Sequence, residues 1–307
     1  MKNNRKIQAL ITGGAGFIGS HLAEELIKKN YSVTILDNLS KGKIFNIRNI
    51  KKKLKFIKCN INKIPITIKN KKFDIIFHLA ALTSVKESES NPKKYFLNNY
   101  QFSKIFFNSL DLSKTDRVIY AASSSCYGNT KNIVITEKYK INPISPYAKS
   151  KNETEKFLKK FLKEKKVNFI SLRLFNVYGP KSSNDLYSGV ISKFIKSFLN
   201  QKKIKIYSDG SQTRSFIYIS DVIKAFTAVL KKNIINETFN VGSKKSVSIN
   251  SLASLFKNKK IYAPGPKGDI KYSRSGISKI YSYTKWKPKV NLRKGLRLTI
   301  KFKKKYD

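Results

Sequence analysis

The sequence predicts an α/β protein with a doubly wound parallel sheet and a smaller C-terminal α/β domain. In the first half of its 307 residues, short apolar segments alternate with amphipathic helical stretches, which is typical of parallel β–α–β units. A glycine-rich turn joins the first of these segments to the first helix. Beyond about residue 176 the alternation stops, and loops rich in Gly, Pro, Ser and Asn separate shorter elements. We therefore expect one domain over residues 1–175 and a second over 176–307, and leave open whether segments of the second return to the first.

The first strand and the first helix are predicted on either side of the glycine turn. Gln8–Ile11 is a short apolar run typical of a buried strand, and residues 17–29 carry apolar side chains at helical spacing. Between them, Gly13, Gly16 and Gly19 form G-x-x-G-x-x-G, a pattern that permits a tight turn, close approach of a pyrophosphate and close packing of the helix. The helix N-terminus would offer N–H groups and positive dipole to the phosphates. The turn therefore predicts a dinucleotide-binding site.

The second predicted strand, residues 31–38, supports this interpretation. Asp37 stands at about the offset at which dinucleotide-binding folds use a carboxylate to bind the adenosine ribose hydroxyls. Asn38 and Leu39 follow, and no arginine stands beside Asp37 to bind a 2′-phosphate. NAD is therefore favoured over NADP.

The other elements of the first domain follow the same alternation. Apolar runs predict strands within residues 53–61, 73–82, 117–125 and 167–175, and helical spacing predicts helices within residues 91–110 and 145–166. Strands that alternate with helices in this way form a Rossmann-type sheet with helices on both faces.

The composition is strongly basic, with a formal net charge of +46 from 64 Lys and Arg against 18 Asp and Glu. Such a charge can indicate binding to nucleic acids or anionic membranes. The lysines are spread along the whole chain, however, together with an excess of Asn, Ile, Phe and Tyr, which A/T-rich codons would produce. No helix-turn-helix, zinc-finger or RNP-type motif accompanies them, so no specific nucleic-acid partner is expected. The charge should still help to attract a polyphosphate substrate.

The apolar runs and the cysteines indicate in which cellular compartment the protein is expected. No run approaches the roughly 18 residues of a membrane span, so no membrane partner is expected. The basic N-terminus resembles a signal peptide only superficially, because its apolar stretch is the predicted first strand. Cys59 and Cys126 show no disulfide pattern and no metal-ligand spacing, and the chain has two histidines. We therefore expect a cytoplasmic protein without a metal site.

A tyrosine and a lysine carry the candidate chemistry. Tyr147 and Lys151 are four residues apart and so share one face of the predicted helix 145–166. Tyrosine is a poor base at neutral pH, but a lysine ammonium group and a positive nicotinamide ring nearby would lower its pKa. Upstream, AASSSCYG ends a predicted strand, where a doubly wound sheet binds its ligands, so a serine there can donate to the same substrate oxygen. A tyrosine and a lysine at this spacing are common by chance. Because this pair follows a dinucleotide-binding turn and a strand that ends in serines, we predict that it is catalytic.

Nine motifs, taken in order, resemble those of one enzyme family. They are TGGAGFIGSHL, DNLSKG, FHLAALTSVKES, SSSCYG, YAKSK, LRLFNVYGP, DGSQTRSFIYISDV, FNVGS and KGDI. They run almost from end to end and resemble the extended short-chain dehydrogenase/reductase family, in its nucleotide-sugar epimerase/dehydratase branch. The UDP-glucose 4-epimerases are the members closest by motif.

The resemblance implies roles for individual residues. Ser123 matches the catalytic Ser/Thr of the family, Tyr147 its base and Lys151 the partner of the base. NAD is implied as cofactor, with contacts from Gly13, Gly16, Phe17, Ile18, Gly19, Asp37, Asn38, Asn60, Ile61, Leu79, Ala80, Ala81, Asn98, Tyr147, Lys151 and Phe175. Asn60 departs from the usual Asp at its position, although its amide can still bond the adenine ring.

A nucleotide-sugar substrate, most naturally a UDP-sugar, is implied for the second domain. The implied substrate contacts are Ser84, Ser124, Asn176, Arg214, Asp269 and Ser273. Asn176 and Arg214 would bind the diphosphate, and Ser273 would border the C2 substituent of the sugar. Three departures from the family pattern stand out: Pro266 replaces an Arg, Ser215 an Asp, and Phe102-Ser103 a Gly-Thr pair.

The resemblance also indicates which reaction of the branch this sequence is expected to catalyse. Its dehydratases and decarboxylases use an acid in the two positions after the catalytic Ser/Thr, and these are Ser124 and Ser125 here. Oxidation and re-reduction at C4 is then the implied reaction, on a UDP-hexose or UDP-N-acetylhexosamine. Alternatives are another epimerase or reductase of the branch, a catalytically weak relative that binds NAD and nucleotide sugar, and a polyanion-binding protein.

We also expect a homodimer. The helices within residues 91–110 and 145–166 carry apolar residues beyond one stripe, namely Phe102, Phe106, Phe107, Phe157, Leu158 and Phe161. Two such helices per subunit would pack as a symmetric four-helix interface.

Overall fold

A computed structural model describes residues 5–131, 133–183, 189–265 and 270–306. Its strands are β1 Gln8–Thr12, β2 Ser32–Asp37, β3 Lys55–Lys58, β4 Ile75–His78, β5 Arg117–Ser123, β6 Asn168–Leu174, β7 Asn176–Tyr178, β8 Ile204–Tyr207, β9 Thr213–Arg214, β10 Phe216–Tyr218, β11 Thr238–Val241, β12 Val247–Ser248 and β13 Lys260–Ala263. Its helices are α1 Phe17–Lys28, α2 Ile44–Ile47, α3 Ile66–Lys69, α4 Val85–Ser90, α5 Pro92–Phe96, α6 Phe102–Asn108, α7 Pro146–Glu164, α8 Val190–Leu199, α9 Ile219–Ala228, α10 Ile249–Ala253, α11 Ser278–Thr284 and α12 Leu292–Tyr306. A π-helical turn, Leu97–Gln101, joins α5 to α6.

The central sheet confirms the predicted doubly wound architecture. In the described part of the chain it has seven strands in the order β3-β2-β1-β4-β5-β6-β11, and every pairing is parallel. The order reverses between β1 and β4, and in such sheets ligands bind at this point, outside the carboxyl ends of the strands. The predicted elements thus position one cleft at one edge of the sheet.

Side chains of β1 show how the sheet is covered on both faces. Ala9 and Ile11 pack in one buried apolar cluster, and Leu10 packs in another. Because successive strand residues point to opposite faces, the two clusters lie on the two sides of the sheet. An apolar run without alternation, as in Gln8–Ile11, is typical of a strand in this environment.

The second half of the chain contributes to more than one sheet. β11 lies at the edge of the central sheet, beside β6. The remaining strands form small pairs, β7 with β10, β9 with β12 and β8 with β13. The boundary at residues 175 and 176 stays a prediction.

The prediction of which residues form a dimer interface is partly wrong. Phe106, Phe107 and Leu158 are fully buried against the sheet of their own subunit. The reason is that α6 and α7 each cover the sheet with one apolar stripe, and these residues belong to it. The exposed apolar side chains of this region are instead those of Phe96, Leu97 and Ile105, while Phe102, Phe157 and Phe161 are half-buried.

The described residues contain no helix long and apolar enough to cross a membrane. They also contain no group of three or more His, Cys, Asp or Glu that could hold a metal ion.

Candidate active site

The glycine turn between β1 and α1 has the geometry that its sequence predicts. Gly13 has a φ of +70°, a left-handed value that favours glycine. A Cβ atom on Gly13 would lie 2.9 Å from the Ala80 backbone, so no side chain fits at this position. Phe17 and Ile18, in the first turn of α1, line the cleft above the sheet edge. The N-terminus of α1 therefore faces the cleft, where it can bind phosphate.

Asp37 ends β2 beside this turn. Its carboxylate accepts hydrogen bonds from the N–H groups of Ala15 at 3.0 Å and Leu39 at 2.8 Å. Burial raises the pKa of Asp37 more than these hydrogen bonds lower it. A Cβ atom on Gly42 would lie 2.7 Å from both carboxylate oxygens, so the glycine leaves this side of the carboxylate open. A carboxylate has about four acceptor sites, so Asp37 retains capacity to accept a hydrogen bond from a ribose hydroxyl.

One cleft of about 1570 Å³ brings the candidates together. All the predicted NAD contacts, the three catalytic candidates, and the predicted substrate contacts Ser84, Ser124, Asn176, Arg214 and Ser273 line it. Asp269, and with it Pro266, lies outside the described residues.

The glycine end of the cleft fits a dinucleotide. The Gly13 turn and Gly42 hold space that a Cβ atom would fill, and Asp37 supplies a hydroxyl acceptor between them. At the predicted adenine position, the Asn38 amide donates to the Asn60 side-chain oxygen, so these two polar groups form one surface. These residues would hold NAD.

The catalytic candidates converge from β5 and α7. Ser123 is the last residue of β5, and α7 begins after Ser145, whose hydroxyl oxygen accepts from the Ala148 N–H at 3.1 Å. This N-cap fixes where the helix starts. Tyr147 and Lys151 consequently lie one turn apart on the buried face of α7.

Ser123 contacts both the base and a second serine. Its hydroxyl lies beside the Tyr147 phenol and lowers the pKa of that phenol, and the Ser125 hydroxyl donates to the Ser123 oxygen at 2.9 Å. An oxygen bound at this position would therefore meet two hydroxyl groups, one on β5 and one on α7. Ser124 lines the same part of the cleft.

Burial controls the titration of this pair. It raises the pKa of Tyr147 more than the contact with Ser123 lowers it. It also lowers the pKa of Lys151 to about 7, against a smaller opposing effect of Glu155. The expected lowering of the Tyr147 pKa by Lys151 is therefore not produced by the charges of the protein alone. The physical reason is that a lysine so deeply buried is only about half protonated at pH 7.

Asn99, which the sequence analysis did not name, lies behind the cleft wall next to the predicted contact Asn98, which lines the cleft. Its side chain is buried, with Oδ1 accepting from Leu82 N at 2.8 Å and Nδ2 donating to Leu82 O and to Ser150 Oγ, both at 3.0 Å. These bonds hold the loop after β4 against α7, next to Lys151. Asn98 and Asn99 both lie in the π-helical turn.

The buried histidine His78 connects Ser103, in α6, to the end of β1 next to the glycine turn. Ser103 donates to Asn99 O at 2.6 Å, so its oxygen accepts from His78 Nε2 at 2.8 Å. His78 Nδ1 then accepts from Thr12, 2.8 Å away, whose oxygen accepts from Ala80 N at 3.1 Å. Burial lowers the pKa of His78 to about 3, so the ring is neutral. Ser103, a departure from the family pattern, thus belongs to a continuous hydrogen-bonded path.

The predicted diphosphate contacts lie on short strands of the second half. Asn176 N, in β7, donates to Ser215 O at 3.1 Å, directly after Arg214 in β9. The Ser215 hydroxyl donates to Ser243 O at 2.8 Å and accepts from Ser243 N at 2.9 Å. The serine that replaces an acid therefore anchors the loop after β11. Ser273 is buried and lines this end of the cleft.

Further cleft residues were not predicted. Lys205 and Tyr207 line the substrate end, together with Gln212 and Tyr272. A signal for the first two exists in the sequence, because they alternate with the buried Ile204 and Ile206 along β8 and so share the opposite face.

The comparisons with known proteins agree with this geometry. Residues 9–242 match the model of the NAD dependent epimerase/dehydratase family. A putative UDP-glucose 4-epimerase of Methanocaldococcus jannaschii is 34% identical, over 96% of this chain and 98% of its own. The structure of UDP-N-acetylglucosamine 4-epimerase from Methanobrevibacter ruminantium, in complex with UDP-N-acetylmuramic acid, is 35% identical with a TM-score of 0.91, covering 98% of this chain and 99% of its own. That of UDP-glucuronic acid 4-epimerase from Bacillus cereus, with UDP-glucuronic acid and NAD, is 30% identical with a TM-score of 0.87, covering 97% and 99%.

Proposed function

The chain belongs to the NAD-dependent epimerase/dehydratase family, and we propose that it is a UDP-sugar 4-epimerase that works by reversible oxidation at C4. The observation that supports this most is the convergence of Ser123, Tyr147 and Lys151 in one cleft with the glycine turn. Serines occupy the two positions after Ser123, so the protein offers no acid there for eliminating water. The reaction then needs one base and one redox cofactor, and no further proton donor.

The chain's own residues would supply the proton transfers. Tyr147 takes the proton of the C4 hydroxyl, and Ser123 holds the same oxygen by donating a hydrogen bond. Lys151, when charged, stabilises the phenolate form of Tyr147. Bound NAD would supply the hydride acceptor and donor at C4. After the 4-keto sugar has turned over in the cleft, Tyr147 gives its proton back to the C4 oxygen, and the sugar leaves with inverted configuration.

The remaining contacts are proposed by position. Asp37 would bind the adenosine ribose, with Asn38, Asn60 and Ile61 at the adenine ring. Arg214 and Asn176 would bind the substrate diphosphate, since both line the far end of the cleft. Ser84 and Ser124 would contact the sugar.

We further propose that the enzyme is a cytoplasmic homodimer that supplies sugars for polysaccharide synthesis. Phe96, Leu97 and Ile105 form an exposed apolar face on the helices after β4, and Tyr100 and Phe157 stack edge to face beside it, with ring centres 6.4 Å apart. A symmetric contact of this face with its copy would cover it.

One NMR experiment tests the proposed function. The purified protein with NAD is incubated separately with UDP-glucose, UDP-N-acetylglucosamine and UDP-glucuronate, and the anomeric proton signals are followed. We expect at least one substrate to approach equilibrium with its 4-epimer. If all three bind and none is converted, the protein is a catalytically weak relative.

A further inference from the structure

A buried ion pair between Glu155 and Arg173 lies one helical turn from Lys151. Glu155 is one helical turn beyond Lys151 on α7, and Arg173 lies on the neighbouring strand β6. The Arg173 guanidinium donates to the carboxylate through Nε at 3.1 and 3.3 Å and through Nη2 at 2.9 Å. The two side chains are 11% and 8% exposed. Such a pair has a large desolvation cost, which only good geometry and further hydrogen bonds offset.

The ion pair is also connected to the wall of the cleft. Arg173 Nη1 donates to the Tyr127 hydroxyl at 3.0 Å, and that hydroxyl donates to Asn240 Oδ1 at 2.7 Å. Tyr127 follows Ser123 by four residues and lines the cleft, and Asn240 lies on β11. Glu155 is therefore fixed relative to three elements that surround the catalytic helix, so its distance from Lys151 does not depend on a mobile side chain.

The other groups around Lys151 carry no compensating charge. In the described part of the chain, Tyr120 on β5 lies under the Lys151 ammonium group, His78 on β4 interacts with it, and Tyr147 is one turn away on α7. Cys126, after β5, interacts with Tyr147. Burial raises the pKa of both phenols and, to about 12, that of the thiol, and it lowers that of the histidine to about 3. All four are neutral at pH 7. Arg173, from β6, is also charged, but it reaches Glu155 from the strand, whereas Lys151 and Glu155 are neighbours one turn apart on the buried face of α7.

We propose that Glu155 is a positioning residue for the reaction, because its fixed negative charge favours the protonated form of Lys151 beside Tyr147. This inference rests on the proposed function, since a charged Lys151 matters only if Tyr147 acts as the base. Burial alone favours neutral lysine, and a neutral amine cannot stabilise a phenolate. Glu155 opposes burial in setting the pKa of Lys151, and no other group acts on that pKa to a comparable degree.

The test compares Glu155→Gln with wild type in the NAD-loaded enzyme. We expect kcat for the converted UDP-sugar to fall on the alkaline side of its pH profile in both enzymes. In Glu155→Gln this fall should come at a pH about one unit lower than in wild type, the usual effect of removing one nearby opposite charge. KM and NAD content should stay unchanged. Glu155→Asp should restore the position of the limb, because it keeps the charge. Glu153→Gln is the matched control, since Glu153 is two residues away on the same helix but exposed and paired with Lys156 at 3.0 Å, and it should leave the profile unchanged.

A second measurement does not depend on turnover. With ¹³Cε-labelled lysine, Lys151 should give the signal that titrates near pH 7 and is absent in Lys151→Met, and Glu155→Gln should move that titration to lower pH. If Glu155→Gln does not fold, the double variant Glu155→Gln, Arg173→Met leaves no unpaired buried charge and takes its place. A loss of kcat equal at all pH values, with an unmoved lysine titration, would show that the ion pair is only structural and would overturn the proposal. An enzyme without turnover whose lysine titration moves as expected would instead contradict the proposed function.

Discussion

The Lys151 Nζ atom lies 4.2 Å from the centre of the Tyr120 ring, above its face. The ring attracts the cation and so reduces the cost of burying it. The reduction is incomplete, because the pKa of Lys151 still falls from 10.5 to about 7. A lysine whose pKa is lower in the folded than in the unfolded protein destabilises the fold. The effect is largest below pH 7, where Lys151 is protonated in both the folded and the unfolded protein. The penalty fades as the pH rises from 7 to 10.5.

Lys151→Met should therefore raise the unfolding temperature relative to wild type more at pH 6.5 than at pH 9.5. The difference between the two gaps should be several degrees, since about 1 kcal/mol shifts the midpoint of a large domain by about 2–4 °C. Calorimetry at matched NAD occupancy measures it. Lys149→Met, on the exposed side of the same helix, should give the same gap at both pH values. A Lys151→Met gap independent of pH would mean that the lysine is not buried as a charge.

Tyr147→Phe should abolish epimerisation and leave NAD binding intact. The substitution removes the proposed base but changes little volume, and loss of a general base typically slows a reaction by about 10²–10⁴-fold. Turnover and bound NAD are measured on the same preparation. Tyr262→Phe, which removes a phenol that is 59% exposed, is the control and should be fully active. A Tyr147→Phe enzyme with more than about a tenth of the wild-type rate would remove Tyr147 from the mechanism.

Gly42→Ala should weaken NAD binding at least as clearly as a direct change to Asp37. Its Cβ atom would come within 2.7 Å of both Asp37 carboxylate oxygens, so the carboxylate must move away from the ribose position. Asp37→Ala removes the same acceptor, and both losses are measured by calorimetry on NAD-free protein. Gly189→Ala is the control, because this glycine also lines the cleft but its Cβ would meet nothing within 4 Å. Unchanged affinity in both Asp37→Ala and Gly42→Ala would place the ribose elsewhere.

Sedimentation should show a particle of twice the 35.2 kDa chain mass at micromolar concentration. Ile105→Lys should dissociate it, because the side chain is 47% exposed and belongs to the apolar face proposed for dimerisation. Ile235→Lys places the same charge on an isoleucine that is 60% exposed in the second half of the chain, and it should leave the dimer intact. A wild-type particle of 35.2 kDa would rule out the dimer.

Ser273 should allow an N-acetyl group at C2 of the sugar. The side chain is small, buried and part of the cleft wall, so we expect UDP-N-acetylglucosamine to be epimerised at least as well as UDP-glucose. Ser273→Tyr should reduce kcat/KM for the acetamido substrate selectively, by about 10–200-fold if one crowded group is involved. An equal loss with both sugars would show that this wall does not select the substrate.

The features of this site that the sequence can predict are those whose physics is local. A glycine turn, a strand-ending acid and a Tyr–Lys pair at helical spacing each involve a few consecutive residues, and their places in the chain suffice to predict Gly13, Asp37 and Tyr147. Asn99 was missed because its hydrogen bonds to Leu82 and Ser150 join residues that are far apart in the chain. Phe106 was assigned to the wrong surface because helical spacing does not say which neighbour covers a stripe. The Glu155–Arg173 pair joins a helix to a strand, and no local pattern predicts such a contact.

The position of β11 has a consequence for how the chain is synthesised. β6 ends at Leu174, and the strand that covers its free edge begins only at Thr238. At about 5–20 residues per second, a ribosome needs several seconds to make the intervening segment. During that time the nascent sheet carries an apolar edge with unpaired backbone groups, which is a template for pairing between chains. Nascent chains should therefore be most prone to aggregate, and most dependent on chaperones, after β6 emerges and before β11 does.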